Sequence, residues 1–318
     1  MLNWVGVILG VFTLMHLSNA VQFELRDKQG EFTDVICDGK VIARYMYAYD
    51  ASTPERLRET YKPYLHIIDP KVGLPITKGP GGMHPHHRAI FVGWSRTIVE
   101  GKRFDFWSMR GTHQLHLKFT KLEAKGNEAV ISALIAWKDA NNRTVIEEER
   151  TMRFLPPPNG AIALVDLVTT IKPAVSDVRL DGDPEHAGVQ FRAASDIVAK
   201  ETVFIFPKED ADPKVDRDYQ WVAMSYTLPS GRYTVVHMNH PSNPKGTIYS
   251  AYRDYGRFGA FPRLDVKFNE FVTLKYRIVV FYGDMPDASL VQKLWDEFAR
   301  VSTPSPAPKL TVRKGMPQ

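Results

Sequence analysis

The sequence lacks the residues and runs on which several protein classes depend. Its 318 residues include one cysteine, Cys37, so no disulfide can form within the chain and the fold must rest on its core alone. Cys37 lies in a strand-like run and is interpreted as a small buried hydrophobe. Beyond residue 20, no segment approaches the roughly 18 uninterrupted apolar residues that a membrane-spanning helix needs. We therefore expect no stable membrane span in the mature chain.

Long blocks of like charge are also missing. The formal net charge of +5 is spread along the chain, which gives no support for nucleic-acid binding. The overall composition is that of an ordinary globular protein, because 44% hydrophobic and 24% charged residues provide enough apolar area for a sizeable core. Disorder is not expected for most of the sequence.

The first 20 residues are typical of an export signal. An apolar stretch from Val5 to Leu17 precedes Ser18-Asn19-Ala20, a small-x-small pattern that suits signal peptidase. The segment has no Lys or Arg, and an uncleaved membrane anchor is the alternative. We expect cleavage near Ala20 and export to the periplasm or the cell exterior.

Strand signals dominate the rest of the chain. The runs EFTDVI and KVIARYMY flank Asp38-Gly39, a hairpin signal, and further alternating runs follow with Gly, Pro, Asn or Asp between them. Long helical patterns between strands are missing, which argues against a βαβ fold. We predict one large antiparallel β-sandwich domain over residues 21–301, an all-β fold whose strand layout suggests the galactose-mutarotase-like supersandwich.

One helix and a C-terminal tail complete the predicted organisation. In ASLVQKLWDEFARV, Leu290, Leu294 and Phe298 recur every four residues, and Asp287 is placed to cap the helix. Residues 302–318 contain four prolines and few apolar side chains, which predicts a tail that is flexible or lightly docked.

Histidines are concentrated in the stretch GPGGMHPHHRAIFVGW, residues 79–94. Its glycines and proline predict a loop that continues to about Arg88, and loops beside strand ends often carry binding groups. In an extended chain, His84 and His86 would share one side and His87 would face away. Two or three of these imidazoles could also coordinate a divalent metal, although no zinc spacing signature is present.

Three further blocks carry polar side chains at strand ends. In HQLHLKF, alternation places Leu115, Leu117 and Phe119 with His113 on an apolar face and His116 on the opposite, polar face. Tyrosine and arginine suit hydroxylated or anionic ligands through ring faces and forked donors. The candidates in the three blocks are Asp105, Trp107 and His116; His186, Gln190 and Arg192; and His240, Tyr252, Arg253 and Tyr255.

These motifs resemble a known bacterial family. The blocks YKPYLHIIDP, GPGGMHPHHRAIFVGW, GKRFDFW, PEHAGVQFRA and NHPSNPKGTIYSAYRDYGRFGAF look like a family of unknown function labelled methane oxygenase PmoA-like. That family is common in exported proteins of planctomycetes and Bacteroidetes-like organisms. Ala89 departs from the glycine that the family usually has after the arginine. Methane oxidation itself is not expected, because the corresponding monooxygenase subunit is an integral membrane protein.

Imidazole is the side chain best suited to proton exchange near neutral pH, which favours an enzyme. We predict a secreted carbohydrate-active protein whose substrate is a small sugar or a glycan. Epimerase, lyase and hydrolase chemistry stay open. His86 and His116 would form the acid/base pair, and Asp105 would orient a ring. The substrate-binding residues would be Arg88, Trp107, His186, Gln190, Arg192, His240, Tyr252, Arg253 and Tyr255.

Two alternatives use the same residues. A metal enzyme would bind its ion through His84, His86 and His87, and a non-catalytic glycan-binding module would use the tyrosines and arginines as a recognition groove. Both catalytic hypotheses require the HPHH histidines and His116 to meet in one cleft. We further predict that all four blocks converge on a single concave, basic pocket.

Overall fold

A computed structural model describes residues 21–183 and 185–317 of the chain. The segment predicted to be a signal peptide lies outside these residues. None of the helices in the described residues is long and apolar enough to cross a membrane. The strands, in chain order, are β1 (Phe23–Lys28), β2 (Phe32–Cys37), β3 (Lys40–Met46), β4 (Tyr64–Asp69), β5 (Leu74–Pro75), β6 (Ile90–Trp94), β7 (Thr97–Val99), β8 (Lys102–Phe104), β9 (His113–Lys125), β10 (Glu128–Lys138), β11 (Thr144–Leu155), β12 (Ala161–Pro173), β13 (Val178–Leu180), β14 (Ala187–Arg192), β15 (Val203–Phe206), β16 (Trp221–Leu228), β17 (Gly231–Asn239), β18 (Ile248–Arg253), β19 (Arg257–Phe261), β20 (Leu264–Val266), β21 (Val272–Tyr282) and β22 (Thr311–Lys314).

The strands form two large antiparallel sheets and a small one within the described residues. Sheet 1 has the order β1-β2-β3-β4-β6-β14-β19-β18, with β5 on β4, and sheet 2 has the order β22-β15-β16-β17-β21-β12-β11-β10-β9. The small sheet has the order β20-β13-β7-β8. One apolar core joins the facing sides of the large sheets, with Val92 and Phe191 from sheet 1 and Phe154 and Ile278 from sheet 2. The predicted all-β sandwich is confirmed.

The predicted hairpin and helix are both present. Strands β2 and β3 pair antiparallel across Asp38-Gly39, whose φ angles of 48° and 76° suit a tight hairpin turn. Helix α2 spans Ala288–Ala299, and the Asp287 side chain accepts a hydrogen bond from the Ser289 N–H. The apolar side of α2 packs on the outer face of sheet 2 against Trp221 and Val279.

One short helix was not predicted, and the structure also places the C-terminal segment and Cys37. A short helix α1 spans Pro54–Thr60, with the Thr53 side chain as its N-cap. In the segment predicted to be flexible or lightly docked, β22 pairs with β15 and adds an edge strand to sheet 2. Cys37 is buried, and burial raises the pKa of its thiol to about 11, which fits an inert core residue.

Candidate functional site

The histidine-rich loop leads into the middle of sheet 1. Strand β6 lies between β4 and β14, and β14 is followed by β19. Val92, Phe191 and Phe258 point into the core between the sheets. Alternation therefore places Phe91, Gln190 and Arg257 on the outer face of the same strands. The candidate site is built on this outer face, beneath the loops that precede and follow β6.

The HPHH segment folds as a turn and not as an extended chain. The His87 N–H donates to the His84 carbonyl at 2.9 Å, and His84 has a left-handed φ of 53°. The rings of His84 and His87 consequently stack at 4.9 Å, whereas the His84 and His86 rings are 6.2 Å apart. The predicted pairing of His84 with His86 is wrong, because extended geometry does not hold through this turn.

The segment from Asp105 to Trp107 packs directly on sheet 1. A side chain at Gly93 would lie 2.2 Å from the Phe106 carbonyl oxygen, so this close approach requires glycine. Trp107 is fully buried, and its ring contacts His87 at 5.7 Å and His186 at 5.6 Å. It therefore connects two histidine segments and offers no ring face for stacking on a sugar.

Asp105 does not orient a histidine as predicted. Its Oδ1 accepts hydrogen bonds from the backbone N–H groups of Trp107 and Ser108, at 3.0 and 2.8 Å. This is the local side-chain-to-backbone pattern of an Asx turn. The carboxylate holds the backbone on which Trp107 is placed.

The third and fourth blocks meet on the outer face through arginine. Arg257 is fully buried and donates to Gln190 Oε1 at 3.2 Å and to the Tyr255 hydroxyl at 3.2 Å. The Tyr255 ring lies 4.9 Å from His84 and 5.1 Å below the guanidinium carbon of Arg192. The structure therefore brings HPHH, Trp107, Gln190, Arg192 and Tyr255 together.

Two predicted substrate-binding arginines have structural roles instead. Arg88 is fully buried and donates to the backbone carbonyls of Pro85, His87 and Arg58. Arg192 is 2% exposed and donates to the carbonyls of Ala193 and Tyr255. Because guanidinium groups enclosed by carbonyl oxygens hold backbone in place, neither arginine is positioned to reach a substrate.

His116 does not join the HPHH histidines, so the convergence that both catalytic hypotheses required of these residues is absent. His116 packs against Tyr45, Tyr47 and Phe119, with its ring centroid 4.5 Å from that of Phe119. Strand β9 has an irregularity at Leu117, where the pairing with β10 jumps from Lys118 to His116. Such a bulge shifts the alternation by one residue, so the predicted apolar and polar faces are wrong here and the His86–His116 acid/base pair is not formed.

His240 also lies apart from the site. Its ring contacts Phe298 of α2 at 5.0 Å, and its Nδ1 is 2.7 Å from Ser242 Oγ. Helix α2 packs on the outer face of sheet 2, on the far side of the sandwich from the outer face of sheet 1. The fourth block is therefore divided, and only its second part reaches the site.

The structure shows a histidine–aspartate pair that the sequence motifs did not predict. His186 Nδ1 lies 2.7 Å from Asp183 Oδ1, which also accepts from the Glu185 N–H at 3.0 Å. Burial raises the pKa of Asp183, but the hydrogen bonds from His186 and Glu185 outweigh it and lower the pKa to about 2. An ionised carboxylate fixed on Nδ1 leaves Nε2 as the ring nitrogen available to a ligand.

This pair borders a cavity of about 680 Å³ that also contains Tyr252 and Arg253. The His186 side chain is 38% exposed, so a ligand can reach it. His86 borders a separate cavity of about 940 Å³ together with Tyr49 and His113. The predicted single pocket is therefore wrong, and the histidine cluster lies between two cavities.

Two imidazoles of the HPHH segment, those of His86 and His87, are held neutral by their surroundings. Burial, followed by the charge of Lys62, lowers the pKa of His86 to about 3. Burial, followed by the charges of His86 and Arg257, lowers the pKa of His87 well below its usual value. His87 is 1% exposed, and neither of its ring nitrogens has a hydrogen-bond partner among the described residues. Neutral rings can accept hydrogen bonds through their unprotonated nitrogen at neutral pH.

A metal site at HPHH would require nitrogen lone pairs that converge on one point. The His84 and His87 rings instead stack with an interplanar angle of 25°, so their in-plane lone pairs run side by side. Across residues 21–183 and 185–317, no group of three or more His, Cys, Asp or Glu side chains is placed to hold a metal ion. The described geometry gives the metal hypothesis no support.

Acid should destabilise this fold through its buried histidines. Burial lowers the pKa of His66 to about 4 and of His237 to about 3, and His87 behaves likewise. In the unfolded chain these rings become protonated near pH 6.5. Between about pH 6.5 and pH 4 the unfolded chain therefore binds more protons than the folded chain, and the stability decreases as the pH is lowered. We expect the melting temperature to drop steeply over this interval.

The free energy of unfolding, measured in denaturant at several pH values, checks this. In a His237→Gln variant, one fewer ring takes up a proton on unfolding. The slope of the free energy of unfolding against pH should therefore be smaller by about 1.4 kcal/mol per pH unit. A stability that does not change between about pH 6.5 and 4 would contradict the assignment of neutral buried histidines.

Asp183 and Glu185 were not among the predicted site residues, although they adjoin His186 in the stretch DPEHAGVQFRA. Asp183 precedes His186 by three residues, a spacing at which a turn brings the two side chains together. The His186 N–H donates to the Asp183 carbonyl at 3.2 Å, which closes that turn. Aspartate three residues before histidine, next to proline, was the available signal.

The fold and site together define a class of protein. It is an antiparallel β-sandwich with neutral histidines, buried arginines and a histidine–aspartate pair on the outer face of one sheet. The chain belongs to the family of unknown function DUF6807, whose pattern matches residues 33–296. This confirms the predicted membership of a family of unknown function, and the matching description contains no methane-oxygenase label.

The chain has a low similarity to several solved structures of other proteins. No curated protein matches the sequence. The solved structures that it resembles include a heparan sulfate lyase HepC mutant from Pedobacter heparinus, with 8% identity, a TM-score of 0.41, and coverage of 82% of this chain and 37% of the other. An α-galactosidase from Lactobacillus brevis has 8% identity and a TM-score of 0.41, with 87% and 40% covered.

A putative aldose 1-epimerase from Escherichia coli K12 has 8% identity and a TM-score of 0.33, with 83% of this chain and 100% of the other covered. The chain spans less than half the length of the HepC and α-galactosidase structures.

Proposed function

We propose that the chain is an exported enzyme that acts on a sugar or sugar-derived substrate by proton transfer, with His186 as the acid/base residue and Asp183 as its positioning residue. The observation that carries the proposal is the 2.7 Å contact between His186 Nδ1 and Asp183, beside a cavity of about 680 Å³. A ring whose Nδ1 is fixed by an ionised carboxylate presents Nε2 in a defined orientation and stabilises the proton it receives.

The cavity suits a polar, hydroxylated ligand. Tyr252, Arg253 and Glu185 supply donors and acceptors around His186, and a volume of this size is ordinary for a small-molecule site. The candidate stacking rings Trp107 and Tyr255 are buried, at 0% and 8% exposure, so they form no platform of the kind a glycan-binding module uses. These contacts favour an enzyme over a binding module. The methane-oxygenase label stays a prediction from the sequence and is not part of the proposal.

The test is turnover of a sugar panel in D₂O, followed by NMR. The panel contains neutral aldoses, sugar acids and oligosaccharides. Deuterium uptake would indicate epimerisation, a new double bond would indicate elimination, and a new reducing end would indicate hydrolysis. We expect the wild-type protein to change at least one sugar and His186→Ala to leave it unchanged. His240→Ala, on the far side of the sandwich, should retain activity. A wild-type protein that changes none of these sugars would contradict the proposed function.

A further inference from the structure

In the lining of the cavity beside His186, cationic side chains outnumber acidic ones. Arg96, Lys214 and Arg217 are exposed to it, and the C-terminal segment contributes Met316 to its wall. The charged residues that line it are Arg96, Lys214, Arg217, Arg253 and Arg263, against Asp183 and Glu185. The cavity therefore has a clear excess of positive charge, although the net charge of the whole chain is modest.

The two carboxylates of the cavity are already engaged. Asp183 accepts from His186, and Glu185 Oε1 accepts from Arg253 Nε at 3.0 Å. The other oxygen of Glu185 lies 3.7 Å from the buried Arg257 Nη2. Asp183 Oδ2 accepts a hydrogen bond from Ser95 Oγ at 3.4 Å, and the charge of Arg96 contributes to the lowered pKa of Asp183. The two carboxylates are therefore shared among several partners, and the cations of the cavity remain in excess.

Three of the cations have no carboxylate of their own. Arg263 pairs with Asp181 at 3.2 Å, but Arg96, Lys214 and Arg217 form no ion pair with the described residues. Arg217 Nη1 donates only to the backbone carbonyls of its own turn, such as Val215 at 2.6 Å. An anionic ligand would gain charge-assisted hydrogen bonds that a neutral one cannot form.

We infer that this cavity binds a sugar bearing an anionic oxygen group, a carboxylate, sulfate or phosphate ester, and places that sugar beside His186. The catalytic role of His186 in this inference rests on the proposed function. The anion-binding site itself is inferred from the charges of the cavity alone. Guanidinium groups match such groups through paired N–H donors, and lysine adds an unoriented charge. The anionic group would select the substrate, and the neighbouring histidine would act on it.

Isothermal titration calorimetry of the full chain with sugars and inorganic anions tests binding to this cavity. The probes are D-glucuronate, D-glucose 6-sulfate and D-glucose 6-phosphate, with D-glucose as the neutral counterpart and inorganic sulfate and phosphate as anions without a sugar. We expect at least one acidic sugar to bind at least about tenfold more tightly than glucose and than the inorganic anions. Its binding should weaken when salt is added. The acidic sugar that binds most tightly identifies the anionic group.

Variants locate the site. Lys214→Ala and Arg96→Ala should each weaken binding of that acidic sugar about tenfold and leave glucose binding unchanged. Lys121→Ala, which removes an equal charge from the exposed face of β9, should have no effect. If no acidic sugar binds more tightly than glucose, if inorganic sulfate or phosphate binds equally well, or if Lys121→Ala has the same effect, the inference is overturned.

The two proposals fail separately. Turnover of a neutral sugar that requires His186, without any preference for acidic sugars, would overturn this inference and leave the proposed function intact. Tight binding of an acidic sugar that requires Lys214, without turnover of any sugar, would support the binding site and contradict the enzyme.

Discussion

Replacement of Glu148 by glutamine is expected to lower the free energy of unfolding by about 3–5 kcal/mol, because it leaves a buried arginine without its counterion. Glu148 and Arg150 are 0% and 1% exposed. Arg150 donates to both carboxylate oxygens, at 2.7 and 2.9 Å, and Trp137 Nε1 and Thr169 Oγ1 also donate to them. Glutamine preserves the volume but removes the charge and replaces one acceptor with a donor.

Urea unfolding measures this change, and a neighbouring pair supplies the control. Glu128 and Arg153 form an ion pair on β10 and β11 whose side chains are 31% and 49% exposed. Glu128→Gln should cost less than about 1 kcal/mol, since water screens and solvates the remaining charge. A Glu148→Gln variant that is no less stable than Glu128→Gln would show that the buried network does not need its charge.

Replacement of His186 by alanine should lower kcat about 10²- to 10⁴-fold on the sugar that the wild-type protein turns over, because it removes the proposed proton-transfer group. Asp183→Asn should also lower kcat, since the imidazolium formed during proton transfer would lose its neighbouring negative charge. Both side chains are only partly buried, so the melting temperature should change by no more than a few degrees.

Steady-state kinetics separates this role from a structural one. A loss in kcat with little change in KM is expected for both variants, because the affected interaction forms during proton transfer. His116→Ala removes an equally polar ring from the separate aromatic cluster and should retain kcat, provided that the folded protein is recovered. If His186→Ala retains wild-type kcat while its KM rises, His186 binds substrate and does not transfer the proton.

Local features of the sequence predicted the fold well. Asp38-Gly39 specified a hairpin because few residues other than glycine adopt the required left-handed turn. Asp287 and the four-residue spacing from Leu290 specified α2 because capping and amphipathicity are properties of a short segment. These signals depend on neighbours within a few residues, which a sequence displays directly.

The histidine faces were predicted less well, because alternation holds only where the strand is regular. The turn at His84 stacked His87 on it, and the bulge at Leu117 brought His116 to the side of Phe119. Neither irregularity leaves a distinct pattern in the residues. The first is a local turn closed by the His87 N–H on the His84 carbonyl, and the second arises in the pairing of β9 with β10.

The sequence by itself determined an all-β chain with one capped helix, a single buried cysteine, and blocks rich in histidine, arginine and tyrosine. Only the tertiary structure decided which blocks meet: pairing of β6 with β14 and of β14 with β19 joined HPHH, Gln190 and Arg257 on one face. Strand β17 lies in sheet 2, so His240 at its end contacts α2 on the other side of the sandwich, and the turn at Asp183 places His186 beside the accessible cavity. Strand order in a sheet is set by packing between distant segments, and periodicity along one segment carries no record of it.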